Sequence, residues 1–147
     1  MKTIPLGATG LRVTKTAMGC LPLQRCEKDY AVRLLQAAYD GGIRYFDTAN
    51  AYTDSEEKIG LALADVRGGI VLSTKSQARD RDGVLRHIEN SLKMLRTDRI
   101  DLFQLHNVPE MPDPDDPAGA YAGALEARRR GWIGHIGVTT QIGRAHV

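Results

Sequence analysis

Aromatic residues are scarce in this chain of 147 residues, which has one Trp, two Phe and five Tyr. Its core has to be built from Leu, Ile, Val and Ala, and each polar aromatic stands out as a candidate for chemistry. No apolar run approaches membrane-spanning length, and Met1-Lys2-Thr3-Ile4-Pro5-Leu6-Gly7 lacks the continuous apolar stretch of a signal peptide. A cytoplasmic location without a membrane partner is the resulting expectation. The two cysteines, Cys20 and Cys26, match no metal-ligand spacing. They read as reduced thiols, with a disulfide as the alternative, and no metal is expected. Strong charge of one sign is missing too. A net charge of +2 does not suit a nucleic-acid partner, and Arg128-Arg129-Arg130 falls where a helix would be ending, a position that favours the helix dipole. No glycine-rich dinucleotide fingerprint occurs, which argues against a Rossmann domain. What remains, 42% hydrophobic and 26% charged, suits one globular domain.

Three apolar runs end in a polar residue. Tyr45-Phe46 stops at Asp47, with Tyr52 five positions on; Gly69 to Thr74 stops at Lys75; Ile100 to Leu105 stops at His106. Each run has strand length and helix-like segments lie between them, which is βαβ punctuation. In a parallel sheet or barrel the residues that close successive strands gather on one rim, so Asp47, Tyr52, Lys75 and His106 are expected to converge.

Around these runs the chain reads as follows. Thr3–Leu6 and Leu11–Thr14 flank Gly7-Ala8-Thr9-Gly10 as a hairpin over residues 3–14. Lys15–Gly19 is a first barrel strand, with Cys20-Leu21 opening its exit loop. Ala31, Leu34, Leu35 and Ala38 form a helical stripe stopped by Gly41-Gly42, ahead of a strand over Ile43–Phe46. Asp54 followed by Glu57 resembles a capping box before the stripe Ile59, Ala62, Leu63, Val66. Leu85, Ile88, Leu92 and Leu95 mark a third helix. The polar loop Val108–Asp116 is suited to border a substrate pocket, Pro117 to a first helical turn, and a helix through Tyr121, Ala124 and Leu125 runs to Gly131. Ile133–Val138 is a fifth strand.

From about Ile4 to Thr140 the sequence resembles the aldo-keto reductases. The resemblance rests on Leu6-Gly7-Ala8-Thr9-Gly10-Leu11, Phe46-Asp47-Thr48-Ala49, Tyr52-Thr53-Asp54-Ser55-Glu56, Ser73-Thr74-Lys75, and Ser91-Leu92 followed by Ile100-Asp101-Leu102 and His106. It implies an α/β fold, part of a TIM (β/α)8 barrel: an N-terminal hairpin over 1–14 that plugs the barrel floor, then about five parallel strands and four helices over 15–140. A closed barrel typically needs roughly 250 residues. The chain is therefore expected to be the N-terminal part of a longer enzyme, inactive by itself. Gln141-Ile142-Gly143-Arg144-Ala145-His146-Val147 fits neither a helix nor the family's continuation. It resembles a translated short-read sequencing adapter, so 141–147 reads as a non-native tail.

The resemblance also implies chemistry. An aldehyde or ketone is reduced by hydride from NADPH, more often than NADH, with Tyr52 as proton donor, Lys75 and Asp47 behind it, and His106 orienting the carbonyl oxygen. An ordinary phenol, with a pKa of about 10, is a poor acid at neutral pH. Lys75 within hydrogen-bond reach is expected to lower that value, with Asp47 keeping Lys75 charged and oriented. Gly19, Cys20, Asp47, Thr139 and Thr140 are the cofactor-binding candidates; Thr139-Thr140 stands where many relatives carry a Ser-Asn pair, and the family's phosphate-reading residues lie mostly further C-terminal. Leu21–Arg25 and Ala51–Gly60 look most like a microbial branch whose longer members often carry a C-terminal iron–sulfur module, whose Cys ligands are not in this chain.

Taken singly, each residue has a duller role: Asp47 a loop cap, Tyr52 a half-buried surface aromatic, Lys75 a solvated strand end, His106 a satisfied core histidine, Cys20 packing, Glu56 a helix-start residue. Two other functions compete with the reductase. One is a cofactor-binding regulatory subunit; the other is a Schiff-base lyase using Lys75.

Overall fold

The computed structural model describes residues 1–140, so the tail expected at 141–147 lies outside the described residues. Thr3–Pro5 (β1) and Arg12–Thr14 (β2) pair antiparallel, with Ile4 opposite Val13, as the two-glycine turn between them predicts. A second sheet holds Met18–Gly19 (β3), Tyr45–Asp47 (β4), Val71–Ser76 (β5), Ile100–Leu105 (β6) and Ile133–Val138 (β7), each strand parallel to and beside the one before it. Lys28–Asp40 (α1), Ser55–Leu63 (α2), Arg81–Met94 (α3) and Ala120–Arg129 (α4) fill the connections. Sequential parallel strands with a helix in each crossover make the expected partial barrel.

Strand alternation divides the sheet. Phe46 pairs with Leu72, Thr74 with Phe103 and Ser76 with Leu105; the apolar members lie in the core with Leu35, Ile59, Leu63, Ile88 and Leu95 from the helices. Asp47 pairs with Ser73, and Lys75 with Gln104. These four point to the opposite face, because successive side chains alternate and residues in register share a side. One face of the sheet is mainly apolar and covered by helices, and the other carries Asp47, Ser73, Lys75 and Gln104.

Several local expectations differ from what forms. The first barrel strand is only Met18–Gly19, because Lys15 N–H is spent on Lys2 O in the hairpin sheet at 2.9 Å. Leu34 is exposed, and α1 buries Ala31 and Leu35 instead. Pro117 is not in a first helical turn but in a non-helical turn with Ala118: Arg81 N–H donates to Ala118 O and Ala120 N–H to Arg79 O, a bridge of Gly119 with Asp80 that holds α4 back until Ala120. Both cysteine thiols are free.

The capping box does not form either. Asp54 is the residue before α2, but its carboxylate bonds Lys58 Nζ at 2.8 Å and makes no cap, while Glu57 pairs with Lys28 at 2.7 Å. The Lys58 side chain is 1% exposed. Its ammonium also donates to Leu23 O at 2.8 Å and Cys26 O at 2.7 Å, so all three N–H groups are used. A buried ammonium competes better for a nearby carboxylate than backbone amides do. Lys58 thereby straps the short 3₁₀ turn Leu21–Arg25, which follows β3, to the start of α2. Gly60 lets α2 approach the end of α3, since a Cβ there would lie 2.2 Å from Met94 O.

Lys58→Met leaves two carbonyls and Asp54 without their donor and is expected to lower stability by about 2 kcal/mol. Urea unfolding measures it, with Lys28→Ala, which removes a solvent-exposed pair, leaving the midpoint unchanged.

Candidate active site

Asp47 closes β4, Lys75 is the penultimate residue of β5, and His106 follows the last residue of β6. Parallel strands therefore deliver all three to one rim. Tyr52 comes from the loop between β4 and α2, which is stitched to β5: Thr48 N–H donates to Ser73 O and Asn50 N–H to Lys75 O, both at 2.9 Å. The loop then reverses, with Thr53 at φ +43°. A β-branched residue in the left-handed region is strained, and such strain collects where side chains must be aimed. Asn107, directly after His106, is also left-handed at φ +52°. Both loops turn back immediately behind a ring-bearing residue.

The four side chains meet. Lys75 Nζ donates to Asp47 Oδ2 at 2.5 Å and to Thr48 O at 2.6 Å. It stands 5.5 Å from the centroid of the Tyr52 ring. The Tyr52 and His106 rings meet edge to face, centroids 6.0 Å apart and planes at 80°. His106 is pinned through its backbone, since its N–H donates to Ser76 O at 2.8 Å and its carbonyl accepts Arg79 Nη2 at 2.9 Å. Its Nδ1 is buried without a partner.

Electrostatics differ among the four. Burial pushes the His106 imidazole below its ordinary range, and the Lys75 charge pushes it further the same way. The histidine is held neutral. Tyr52 departs from expectation: burial and then the Asp47 charge raise its phenol above the ordinary value. No hydrogen bond joins Tyr52 Oη to Lys75 Nζ among the described residues, because the ammonium has turned to Asp47 and Thr48 O. The ion pair is nearly neutral from a distance and lends the phenol little help.

Of the cofactor candidates, Gly19 is exposed, and a Cβ built on it meets nothing within 4 Å. Cys20 is fully buried; its thiol lies 3.5 Å from Met18 O, and burial pushes its pKa up to about 12. Cys20 is thus a packed core thiol beside an open glycine. The Thr139 hydroxyl accepts Asn107 N–H at 2.9 Å, and the Thr140 hydroxyl donates to Val108 O at 3.0 Å. Both sit at the end of β7, against the turn that carries His106.

Polar groups at the site that were not among the candidates include Ser73, Gln104 and Arg79. The first two bond Asp47 Oδ1 and each other. Their signal was even spacing: each lies two positions before a candidate, Lys75 and His106 respectively, and so shares its side of the strand. Glu56 is in the first turn of α2, as expected, and is also buried, accepts the Thr74 hydroxyl at 2.6 Å and has its pKa raised by burial. The Val108–Asp116 loop does border a cavity, of about 150 Å³, with Arg79, Glu110 and Asp113 in its wall. Among the described residues no group of His, Cys, Asp and Glu could hold a metal ion, and no helix is long and apolar enough to cross a membrane.

The sequence pattern of the Aldo/keto reductase family matches residues 6–145. An uncharacterised oxidoreductase of Bacillus subtilis (strain 168), YqkF, is 31% identical over 95% of this chain and 49% of its own length. Among solved structures, the holo form of the aldo-keto reductase AKR11C1 from Bacillus halodurans superposes with a TM-score of 0.82 at 29% identity, over 96% of this chain and 51% of that one. The Bombyx mori aldo-keto reductase AKR2E4, in complex with NADP, superposes with a TM-score of 0.76 at 28% identity, over 93% and 50%. The chain spans about half the length of these relatives. With the tetrad gathered on one rim of a partial TIM barrel and this match over nearly its whole length, the chain belongs to the aldo/keto reductase family.

Proposed function

We propose that this chain carries the N-terminal half of a carbonyl-reducing site that turns an aldehyde or ketone into an alcohol with NADPH, and that Tyr52 is the proton donor. The observation that carries the reading is the Lys75 ammonium held between Asp47 Oδ2 and Thr48 O, beneath a phenol and a neutral imidazole. A small carbonyl compound needs this donor set and no nucleophile. The open space over Gly19 and the hydroxyls of Thr139 and Thr140 suit a flat, amide-bearing ring. The reduced nicotinamide supplies the hydride when bound, since no side chain can.

The chain's own residues supply the rest. His106 has no acceptor for a proton on Nδ1, so the neutral ring keeps its hydrogen on Nε2 and can donate it to the carbonyl oxygen. As negative charge grows on that oxygen, Tyr52 Oη gives it a proton and becomes a phenolate. Each unit by which Lys75 lowers the phenol's pKa in that state is about 1.4 kcal/mol of stabilisation. Lys75 has one N–H beyond the two given to Asp47 and Thr48, and it is the nearest cation to receive the phenolate. The lyase alternative fits less well, because an amine that donates to Asp47 and Thr48 O is not presenting a lone pair.

The test joins residues 1–140 to the C-terminal half of YqkF and follows NADPH oxidation with a panel of small aldehydes. Turnover is expected, Tyr52→Phe is expected to lower kcat by about 10³-fold, and residues 1–147 alone are expected to give none. Full activity in Tyr52→Phe, or borohydride trapping of substrate on Lys75, would contradict the reading. Separately, an NMR titration should find the His106 ring changing charge below about 6.5. Lys75→Met should move that midpoint upward, because it removes a positive neighbour; a midpoint that is unmoved or lowered would contradict the electrostatic account.

A further inference from the structure

Asp47 has two carboxylate oxygens, and only Oδ2 faces Lys75. Oδ1 accepts the Ser73 hydroxyl at 2.8 Å and lies 3.4 Å from Gln104 Nε2, which donates to Ser73 Oγ at 2.9 Å. The amide orientation follows from the charge: a carboxylate beside it requires the NH₂ end, not the carbonyl end. The direction of the hydroxyl follows in turn. Gln104 fills a lone pair of Ser73, so the single hydroxyl hydrogen goes to Asp47, and donors linked in this way polarise one another. β7 leaves room for the arrangement, since a Cβ on Gly137 would lie 3.2 Å from Gln104 Cγ. The relay thus runs across three neighbouring strands, from Gln104 on β6 through Ser73 on β5 to Asp47 on β4, with Gly137 on β7 leaving space beside Gln104.

We propose that Ser73 and Gln104 are positioning residues of this site: Gln104 sets the Ser73 hydroxyl, Ser73 sets the Asp47 carboxylate, and the carboxylate sets the Lys75 ammonium beneath Tyr52. A carboxylate tied only to Lys75 can rotate about its own bond and take the ammonium with it. One tied at both oxygens cannot. The kinetic consequence rests on the reductase reading above, whereas the geometric one does not.

The two consequences are tested separately. Crystal structures of this chain with Ser73→Ala and with the near-isosteric Gln104→Met are expected to have the Asp47 carboxylate and Lys75 Nζ displaced by about 1 Å, and Ser73→Thr, which keeps the hydroxyl, to leave them in place. An unmoved Asp47–Lys75 pair in both Ser73→Ala and Gln104→Met overturns the proposal, whatever the turnover. In the joined barrel, Ser73→Ala is expected to lower kcat about tenfold while KM for NADPH changes less than about twofold. The double variant should be no slower than Ser73→Ala alone, because the two links act in series. Losses that multiply in the double variant, or a Ser73→Thr chain as slow as Ser73→Ala, also overturn it. No turnover in the unsubstituted joined barrel would count against the reductase reading and leave the crystallographic result to decide the positioning.

Discussion

A lysine amine carried into the interior at the end of a strand must find negative charge and hydrogen-bond acceptors, and the rest of this site follows from how Lys75 does so. Its side chain is 8% exposed, and its partners are a carboxylate and a carbonyl from the neighbouring strand and the loop that leaves it. That requirement fixes the register of β4 on β5. A slip of one residue would turn Asp47 to the helix-covered face and leave the ammonium buried and unpaired, at a cost of several kcal/mol. Because Asn50 bonds the backbone of Lys75 itself, the same register also fixes where the Tyr52 loop leaves the sheet.

The division of the sheet into two faces makes this affordable. Phe46, Leu72, Phe103 and Leu105 bury one side under the helices and supply the apolar stabilisation. The opposite side can then hold Asp47, Ser73, Lys75 and Gln104, which satisfy one another through short bonds. Parallel strands add direction. Every strand ends on the same rim, so residues far apart in sequence become neighbours without any long loop having to reach across. The backbone reversals at Thr53 and Asn107 then aim the phenol and the imidazole over the ion pair.

Much of this was legible in the sequence, for a physical reason: a polar residue that ends an apolar run declares both the strand and its rim. Asp47, Lys75 and His106 were found that way, and the helices by their periodicity. What was not legible depends on competition between partners distant in the chain. Asp54 and Glu57 have the spacing of a capping box, yet Lys58 and Lys28 take their carboxylates. Pro117 suits a helix start, yet the bonds from residues 118 and 120 to the α3 entrance delay it. The acidity of Tyr52 was expected to benefit from Lys75, but in this arrangement Asp47 claims the ammonium first and the phenol is raised instead. Ser73 and Gln104 were passed over because even spacing from Lys75 and His106 marks only the face they share, and their partner Asp47 lies on another strand.

A double-mutant cycle on Asp47→Asn and Lys75→Met, read as unfolding free energy, tests the dependence of the site on this pair most directly. The account predicts a coupling of at least about 1 kcal/mol, the double variant being more stable than the sum of the single losses implies. Single effects that add to within about 0.3 kcal/mol would contradict it.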